Sequence, residues 1–314
     1  MKSKKILITG GAGYIGSILS TFLVNSGYQV TVLDILKYKK ESLNHLHAYK
    51  NFTFIKKDAN DKIYLKKIIK KFDFIIPLVA LVGAPLCEKN RKLAKKLNVS
   101  SIQLILNLIT DSQKIIYLTT NSGYGVGEKG KYCDENSKLN PVSLYGKTKN
   151  QAEKLVIQKS KNFICFRLAT VFGFSYRMRT DLLVNNFVFR ALHESKLEIF
   201  EPNFRRNFIH IHDVVKCIIF SIKNFNKLKN EVYNLGLSNA NITKIQLAKL
   251  IKKKISKCKI KIIKNVSDPD KRDYFVSNKK IEKKGFKATK NLSSGIDELI
   301  RVLKNTDNDI KNNY

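Results

Sequence analysis

Short apolar runs alternate with helix-length amphipathic stretches from the first residues to about residue 175. The runs occupy 5–9, 29–34, 52–55, 72–79, 114–119 and 163–168. Between them apolar positions recur at helical spacing, as in Ile15, Ile18, Leu19, Phe22 and Leu23. Strand-length runs separated by amphipathic helices predict βαβ units and a parallel, doubly wound sheet. The run Phe72 to Val79 is almost wholly apolar, as a strand covered on both faces should be, and Pro77 belongs at its end because it cannot donate to a ladder. After residue 175 the alternation weakens. Residues 209–236 read as a return to the first domain, with Ile209-His210-Ile211, a helix around 213–223 and Tyr233-Asn234-Leu235. The pattern therefore predicts an α/β chain in which 1–175 and 209–236 form the doubly wound sheet, while 176–208 and 237–314 form a smaller lobe over its carboxyl ends. The polar stretch from Asn305 to Tyr314 is expected to fray.

The connection after the first run carries the strongest signal. Thr9-Gly10-Gly11-Ala12-Gly13-Tyr14-Ile15-Gly16 is a strand, a glycine turn and a helix start. Gly10 and Gly13 let the backbone turn and approach a ligand, and Gly16 lets the helix pack close to the strand. Free amides and the helix dipole at that point suit a pyrophosphate. The second run ends in Asp34, eighteen residues after Gly16. A carboxylate there can accept both hydroxyls of an adenosine ribose and repels a 2′-phosphate, which selects NAD over NADP. No Gly-Lys-Ser/Thr follows the turn, so a P-loop is excluded.

Composition narrows the class further. At 314 residues the chain can bury a sizeable core, and no apolar run reaches the ~18 residues of a membrane helix. The start, Lys2-Ser3-Lys4-Lys5 before Ile6-Leu7-Ile8, is interrupted by glycines too soon for a secretory leader. Five scattered cysteines (87, 133, 165, 217, 258) form no CxxC pair and read as reduced thiols in a cytoplasmic protein with no metal site. His210 and His212 have strand spacing but lack a third ligand. Lys and Arg total 59 against 25 acids, a net charge of +34. These cations are dispersed and not interleaved with aromatics, so the charge reads as a field that steers an anionic small molecule and not as a nucleic-acid site.

Tyr145 and Lys149 stand four residues apart in Tyr-Gly-Lys-Thr-Lys and share one face of a helix. A free phenol titrates near 10, too high to serve as a base at neutral pH, and an adjacent ammonium favours the phenolate. The run Ile115 to Leu118 delivers Thr119 and Thr120 to a strand end, where a hydroxyl can bond the reacting oxygen.

With the glycine turn, Asp34, Thr120, Tyr145 and Lys149 in this order, the chain resembles the extended short-chain dehydrogenase/reductases, in the branch of NAD-dependent nucleotide-sugar epimerases and dehydratases, over roughly residues 4–290. The resemblance implies a Rossmann-type fold with a C-terminal substrate lobe. It places NAD against Gly10, Gly13, Tyr14, Ile15, Gly16, Asp34 and Ile35, with Asp58 and Ala59 at the adenine. Leu78, Val79 and Ala80 would run along the cofactor, beside Asn98, Thr119, Tyr145 and Lys149. Tyr124-Gly125 closes the strand motif. Arg167-Leu168-Ala169-Thr170-Val171-Phe172-Gly173 matches Arg-x-x-Asn-Val-Tyr-Gly except that Thr170 replaces Asn. Val82, Asn121, Ser122 and Thr170 then face the sugar. Asn185 or Asn186, Arg206 and Arg272 sit where the family clamps the diphosphate, with Arg177 and Arg179 as weaker candidates. Arginine suits this because its planar fork pairs with two phosphate oxygens.

Family members begin by oxidising the sugar C4 hydroxyl, Tyr145 taking its proton. Dehydratases carry Asp-Glu directly after the catalytic Thr, where this chain has Asn121-Ser122, so dehydration is disfavoured. No Cys lies beside Thr120, which disfavours 3,5-epimerisation with reduction. The overall pattern, including Leu81-Val82-Gly83-Ala84-Pro85-Leu86-Cys87 after the strand end, is similar to the GDP-heptose 4-dehydrogenases of bacterial capsule heptose pathways. The expected reaction is thus C4 oxidation of a GDP-heptose. A nucleotide-sugar 4-epimerase and a non-catalytic nucleotide- or nucleic-acid-binding relative remain as alternatives. The resemblance also implies a cytoplasmic homodimer or higher assembly, and protein that purifies with NAD or NADH in place. A nicotinamide signal in the absorbance spectrum of the purified protein checks the last point.

Overall fold

β1 (Lys5–Thr9) lies at the centre of a parallel sheet, and its side chains alternate between two buried faces. Ile6 and Ile8 enter one core and Leu7 the other. The same alternation runs through every neighbour with a run of apolar residues, which is why these segments lack the polar-out pattern of a one-sided sheet. A computed structural model describes residues 3–128, 130–263 and 272–305; the expected fraying from 306 onward lies outside the described residues. The further strands in chain order are β2 (Gln29–Asp34), β3 (Phe52–Lys56), β4 (Phe74–Pro77), β5 (Lys114–Thr120), β6 (Tyr132–Cys133), β7 (Phe163–Leu168), β8 (Thr170–Phe172), β9 (Lys196–Ile199), β10 (Arg205–His210), β11 (Glu231–Leu235), β12 (Asn241–Thr243), β13 (Lys259–Ile262) and β14 (Phe275–Val276).

The main sheet has seven strands in the order β11-β7-β5-β4-β1-β2-β3, all neighbours parallel. This is the expected Rossmann-type doubly wound sheet. The winding reverses between β1 and β4, and the crevice outside the carboxyl ends of strands at such a reversal is where open α/β sheets bind ligands. Pro77 ends β4 as expected, although the strand is shorter than the run 72–79. One face is covered by helices Tyr14–Asn25 and Ile211–Lys223, the other by Ser101–Leu108 and Leu144–Lys159.

The expected return of 209–236 to the first sheet divides. β11 and helix Ile211–Lys223 join the main sheet's core, but β10, which holds Ile209 and His210, pairs instead with β8 and β12 in a three-stranded sheet. β8 therefore also leaves the main sheet. Gly173, with φ +116°, turns the chain right after β8. A second core gathers Phe172, Val184, Phe187, Phe208, Leu247, Ile251, Ile296 and Leu299. Among the described residues no helix is long and apolar enough to cross a membrane.

A buried ion pair fastens the helix that carries Tyr145 to the sheet. Glu153 on Leu144–Lys159 accepts from Arg167 on β7 through Nη2 at 2.7 Å and Nε at 3.1 Å. The remaining fork bonds the Tyr124 hydroxyl and the Glu135 carbonyl, both at 3.1 Å. Both charged groups are withdrawn from water, so removing one leaves the other uncompensated. Glu153→Ala is expected to lower the unfolding free energy by about 3–5 kcal/mol, read from urea denaturation; replacing both partners by apolar residues should recover most of that loss.

Candidate functional site

The glycine turn is built by contacts that admit no side chain. Gly10 adopts φ +77° and a Cβ on it would stand 2.7 Å from the Val79 amide nitrogen. A Cβ on Gly16 would lie 2.6 Å from the Gly10 carbonyl oxygen and the Gly11 Cα. Gly16 thus brings the helix onto the turn itself, a correction to its expected packing on the strand. Gly11, which carried no sequence signal of its own, does pack toward a strand, since its Cβ would meet Val32 at 2.7 Å. Gly13 has an ordinary φ of −76° and is the N-cap of helix Tyr14–Asn25 without any capping side chain. The first-turn amides are therefore uncapped and sit where the dipole is positive.

Asp34 ends β2 beside this turn. Its carboxylate accepts from Ala12 N at 3.0 Å and Leu36 N at 2.8 Å, one bond to each oxygen. Burial raises its pKa while the Leu36, Ala12 and Ile35 amides oppose the rise. Each oxygen keeps a lone pair for a further donor. Ala59 is buried and Asp58 exposed, with Asp58 bonded to the Asn60 amide at 2.8 Å. Ile15 is half-buried and Ile35 is 49% exposed. Leu78, Val79, Ala80 and Val82 are half-buried along the loop after β4. These features fit a dinucleotide: a cradle without Cβ atoms, uncapped amides and a ribose-competent carboxylate.

Two residues expected along the cofactor also bond within the protein. The Asn98 amide, in a π-helical turn, accepts from Leu81 N at 2.8 Å and donates to Leu81 O and Thr148 Oγ1, both at 3.0 Å. It pins the loop after β4 to the Tyr145 helix. The Tyr14 phenol donates to Gly173 O at 2.7 Å.

At the end of β5 the structure gathers the expected reactive set. Thr120 stands close enough to the Tyr145 phenol to favour its ionised form, and its hydroxyl lies 2.9 Å from Ser122 Oγ. Ser143 caps the helix that starts at Leu144, accepting from Gly146 N at 3.2 Å. The expected lowering of the Tyr145 pKa by Lys149 is not what this structure shows. Burial pushes the phenol up to about 12, and the cations that oppose it are Arg272 and Arg179. Lys149 is itself buried, with Nζ 4.2 Å from the Tyr117 ring centroid, and burial pushes it down to about 7. Low dielectric disfavours both charged forms, so it overrides their i,i+4 proximity.

The anion-binding candidates converge on the same place. Arg272 donates to Ser122 Oγ, and Arg206, only 3% exposed, donates to the Arg272 and Arg205 carbonyls. β14 pairs with β6 and Asp273 bridges Val126, which holds Arg272 over the end of β5. Arg177 and Arg179 are buried; Arg179 pairs with Asp181, and Arg177 lies 4.5 Å above the Tyr38 ring. Asn185 spends its amide on Gly173 N, the Tyr14 hydroxyl and Arg179 O, so it organises the site's wall. Asn186 beside it and Thr170 on β8 are half-buried. Asn121 is 1% exposed and neither amide atom has a partner among the described residues. His210 and His212 form no metal cluster among the described residues; His210 bonds Glu298 at 3.0 Å.

Comparison with known proteins agrees with this geometry. The model of the NAD dependent epimerase/dehydratase family matches residues 6–236. The chain belongs to this family. A putative UDP-glucose 4-epimerase of Methanocaldococcus jannaschii is 26% identical, over 96% of this chain and 98% of that protein. CDP-paratose 2-epimerase of Salmonella typhi is 27% identical over 79% of this chain and 83% of its own length. The crystal structure of UDP-glucuronic acid 4-epimerase from Bacillus cereus, in complex with UDP-glucuronic acid and NAD, superposes with a TM-score of 0.85 at 26% identity, covering 96% of this chain and 99% of that one. The protein is an NAD-dependent enzyme of the nucleotide-sugar epimerase/dehydratase type.

Two outcomes follow from the packing. Gly16→Ala forces a Cβ onto the turn and should cost about 1–3 kcal/mol of stability with loss of NADH binding, measured by denaturation and nicotinamide fluorescence. Lys149 titrates near 7 in the folded chain against 10.5 unfolded, so between those values only the unfolded chain takes up its proton and stability falls as pH drops. Lys149→Met should therefore melt above wild type at about pH 6, with the gap closing as pH rises through that window.

Proposed function

We propose that the protein oxidises the C4 hydroxyl of a nucleotide-activated sugar and does not go on to eliminate water. The observation that carries this reading is the end of β5: Thr120 beside the Tyr145 phenol, followed by Asn121 and Ser122 in place of carboxylates. In this reading Gly10, Gly13, Gly16 and Asp34 hold NAD, with Tyr14, Ile15, Ile35, Asp58, Ala59, Leu78, Val79, Ala80, Asn98 and Thr119 along it. Residues 1–175 and 209–236 serve the cofactor, and 176–208 with 237–314 serve the sugar nucleotide. Bound NAD supplies the two-electron oxidation of the C4–H bond.

The chain's own groups move the proton and hold the substrate. Tyr145 starts as a phenol, and the positive charge of Arg272 and Arg179 lowers the cost of the phenolate that accepts the C4 proton. Thr120 donates to the oxygen that loses that proton. Lys149, poised near neutrality, takes up or gives back charge as the phenol changes state. Arg206 and Arg272, with Asn185 or Asn186, bound the diphosphate end, and Val82, Asn121, Ser122 and Thr170 bound the sugar.

The finer reading is release of a 4-keto product from a GDP-heptose in surface-polysaccharide sugar synthesis, by a cytoplasmic homodimer. Its support is the Leu81 to Cys87 segment. A second reading, return of the sugar as its C4 epimer, is favoured by the 26% identity to a UDP-glucuronic acid 4-epimerase along nearly the whole chain. Incubation with GDP-heptose and with UDP-sugars, product followed by mass, separates them. A product lighter by two hydrogens supports release, an isobaric product supports epimerisation, and loss of water overturns the proposal. Tyr145→Phe is expected to slow turnover by about 10²–10⁴-fold while NADH binding stays unchanged; full activity would remove Tyr145 from its role.

A further inference from the structure

A hydrogen-bonded ladder joins the glycine turn to the segment that carries Arg179. Tyr14, the first residue of its helix, donates its hydroxyl to Gly173 O at 2.7 Å and accepts from Asn185 Nδ2 at 3.1 Å. That same Nδ2 donates to Arg179 O at 2.9 Å, and Asn185 Oδ1 accepts from Gly173 N at 3.1 Å. A second rail runs beside it. Ser175 Oγ donates to the Tyr14 carbonyl at 2.7 Å and lies 2.9 Å from Ser17 Oγ, one turn along the helix. Tyr14, Ser17, Ser175 and Asn185 are all buried, so no water replaces a bond that breaks. Arg179 is near enough for its charge to act on both the Tyr14 and the Tyr145 phenols.

We infer that Tyr14 is a positioning residue that transmits occupancy of the glycine turn to the Gly173–Asn185 wall, and through Arg179 to Tyr145. The last link rests on the proposed role of Tyr145; the first does not. A dinucleotide on the uncapped first-turn amides orders the backbone of Tyr14. The two rails pass that order to Gly173, Ser175 and Asn185, and Asn185 sets the Arg179 carbonyl. Because such coupling is reciprocal, an anion held by the Arg179 wall tightens the turn in return.

Amide-hydrogen exchange over residues 173–186 tests this, comparing cofactor-depleted and NADH-saturated protein. NADH is expected to slow exchange there about tenfold in the wild type, a typical coupling. In Tyr14→Phe, at an NADH concentration that saturates that variant, the slowing should fall below about twofold. A residue that only stabilised the fold would shift exchange equally with and without NADH. Equal slowing in wild type and Tyr14→Phe overturns the inference, as does a wild type that binds NADH with no slowing. If Tyr14→Phe does not fold, Ser175→Ala decides: it removes one rail, and an undiminished slowing overturns the inference. Failure of every sugar nucleotide to turn over would sink the proposed reaction and leave this exchange result standing.

Discussion

The approach of the glycine turn to the loop after β4 is the constraint on which the rest depends. A Cβ on Gly10 would be 2.7 Å from the Val79 nitrogen, so β1 and β4 can end side by side only because that atom is missing. The same absence at Gly16 lets the helix begin directly on the turn. The first-turn amides then face the crevice at the reversal of strand order, where the parallel sheet offers its carboxyl ends.

Electrostatics at the reactive end is governed by burial. Tyr145 is held near 12 and Lys149 near 7, each pushed toward its neutral form. Positive charge reaches the phenol from Arg272 and Arg179, which arrive from distant parts of the chain. The Arg167–Glu153 pair anchors the helix without leaving free charge, and Asn98 anchors its other side through Thr148. Beside these anchors the buried Asn121 amide has no hydrogen-bond partner among the described residues.

Much of this was legible in the sequence because it rests on local rules. Alternating runs predicted six strands of the main sheet, five of them to within a residue, and the glycine spacing predicted the turn that stands at the reversal of strand order. The four-residue spacing of Tyr145 and Lys149 placed them on one helix face. Contacts with distant partners were not legible in that way. Asn98 and Asn185 are polar residues at family positions, yet their amides are consumed by Leu81, Thr148, Tyr14 and Arg179. Ile209 and His210 looked like another strand of the first sheet, and apolar pattern alone cannot say which sheet a strand joins.

The sequence by itself determined the doubly wound sheet, the glycine turn and the identity of the groups at the end of β5, because periodicity, the missing Cβ and side-chain chemistry are properties of single residues and their near neighbours. Only the tertiary structure decided the protonation balance of Tyr145 and Lys149, the engagement of Tyr14 and Asn185, and the meeting of Arg206 and Arg272 over Ser122. Those depend on burial and on contacts between residues far apart in the chain, and neither is encoded in local spacing.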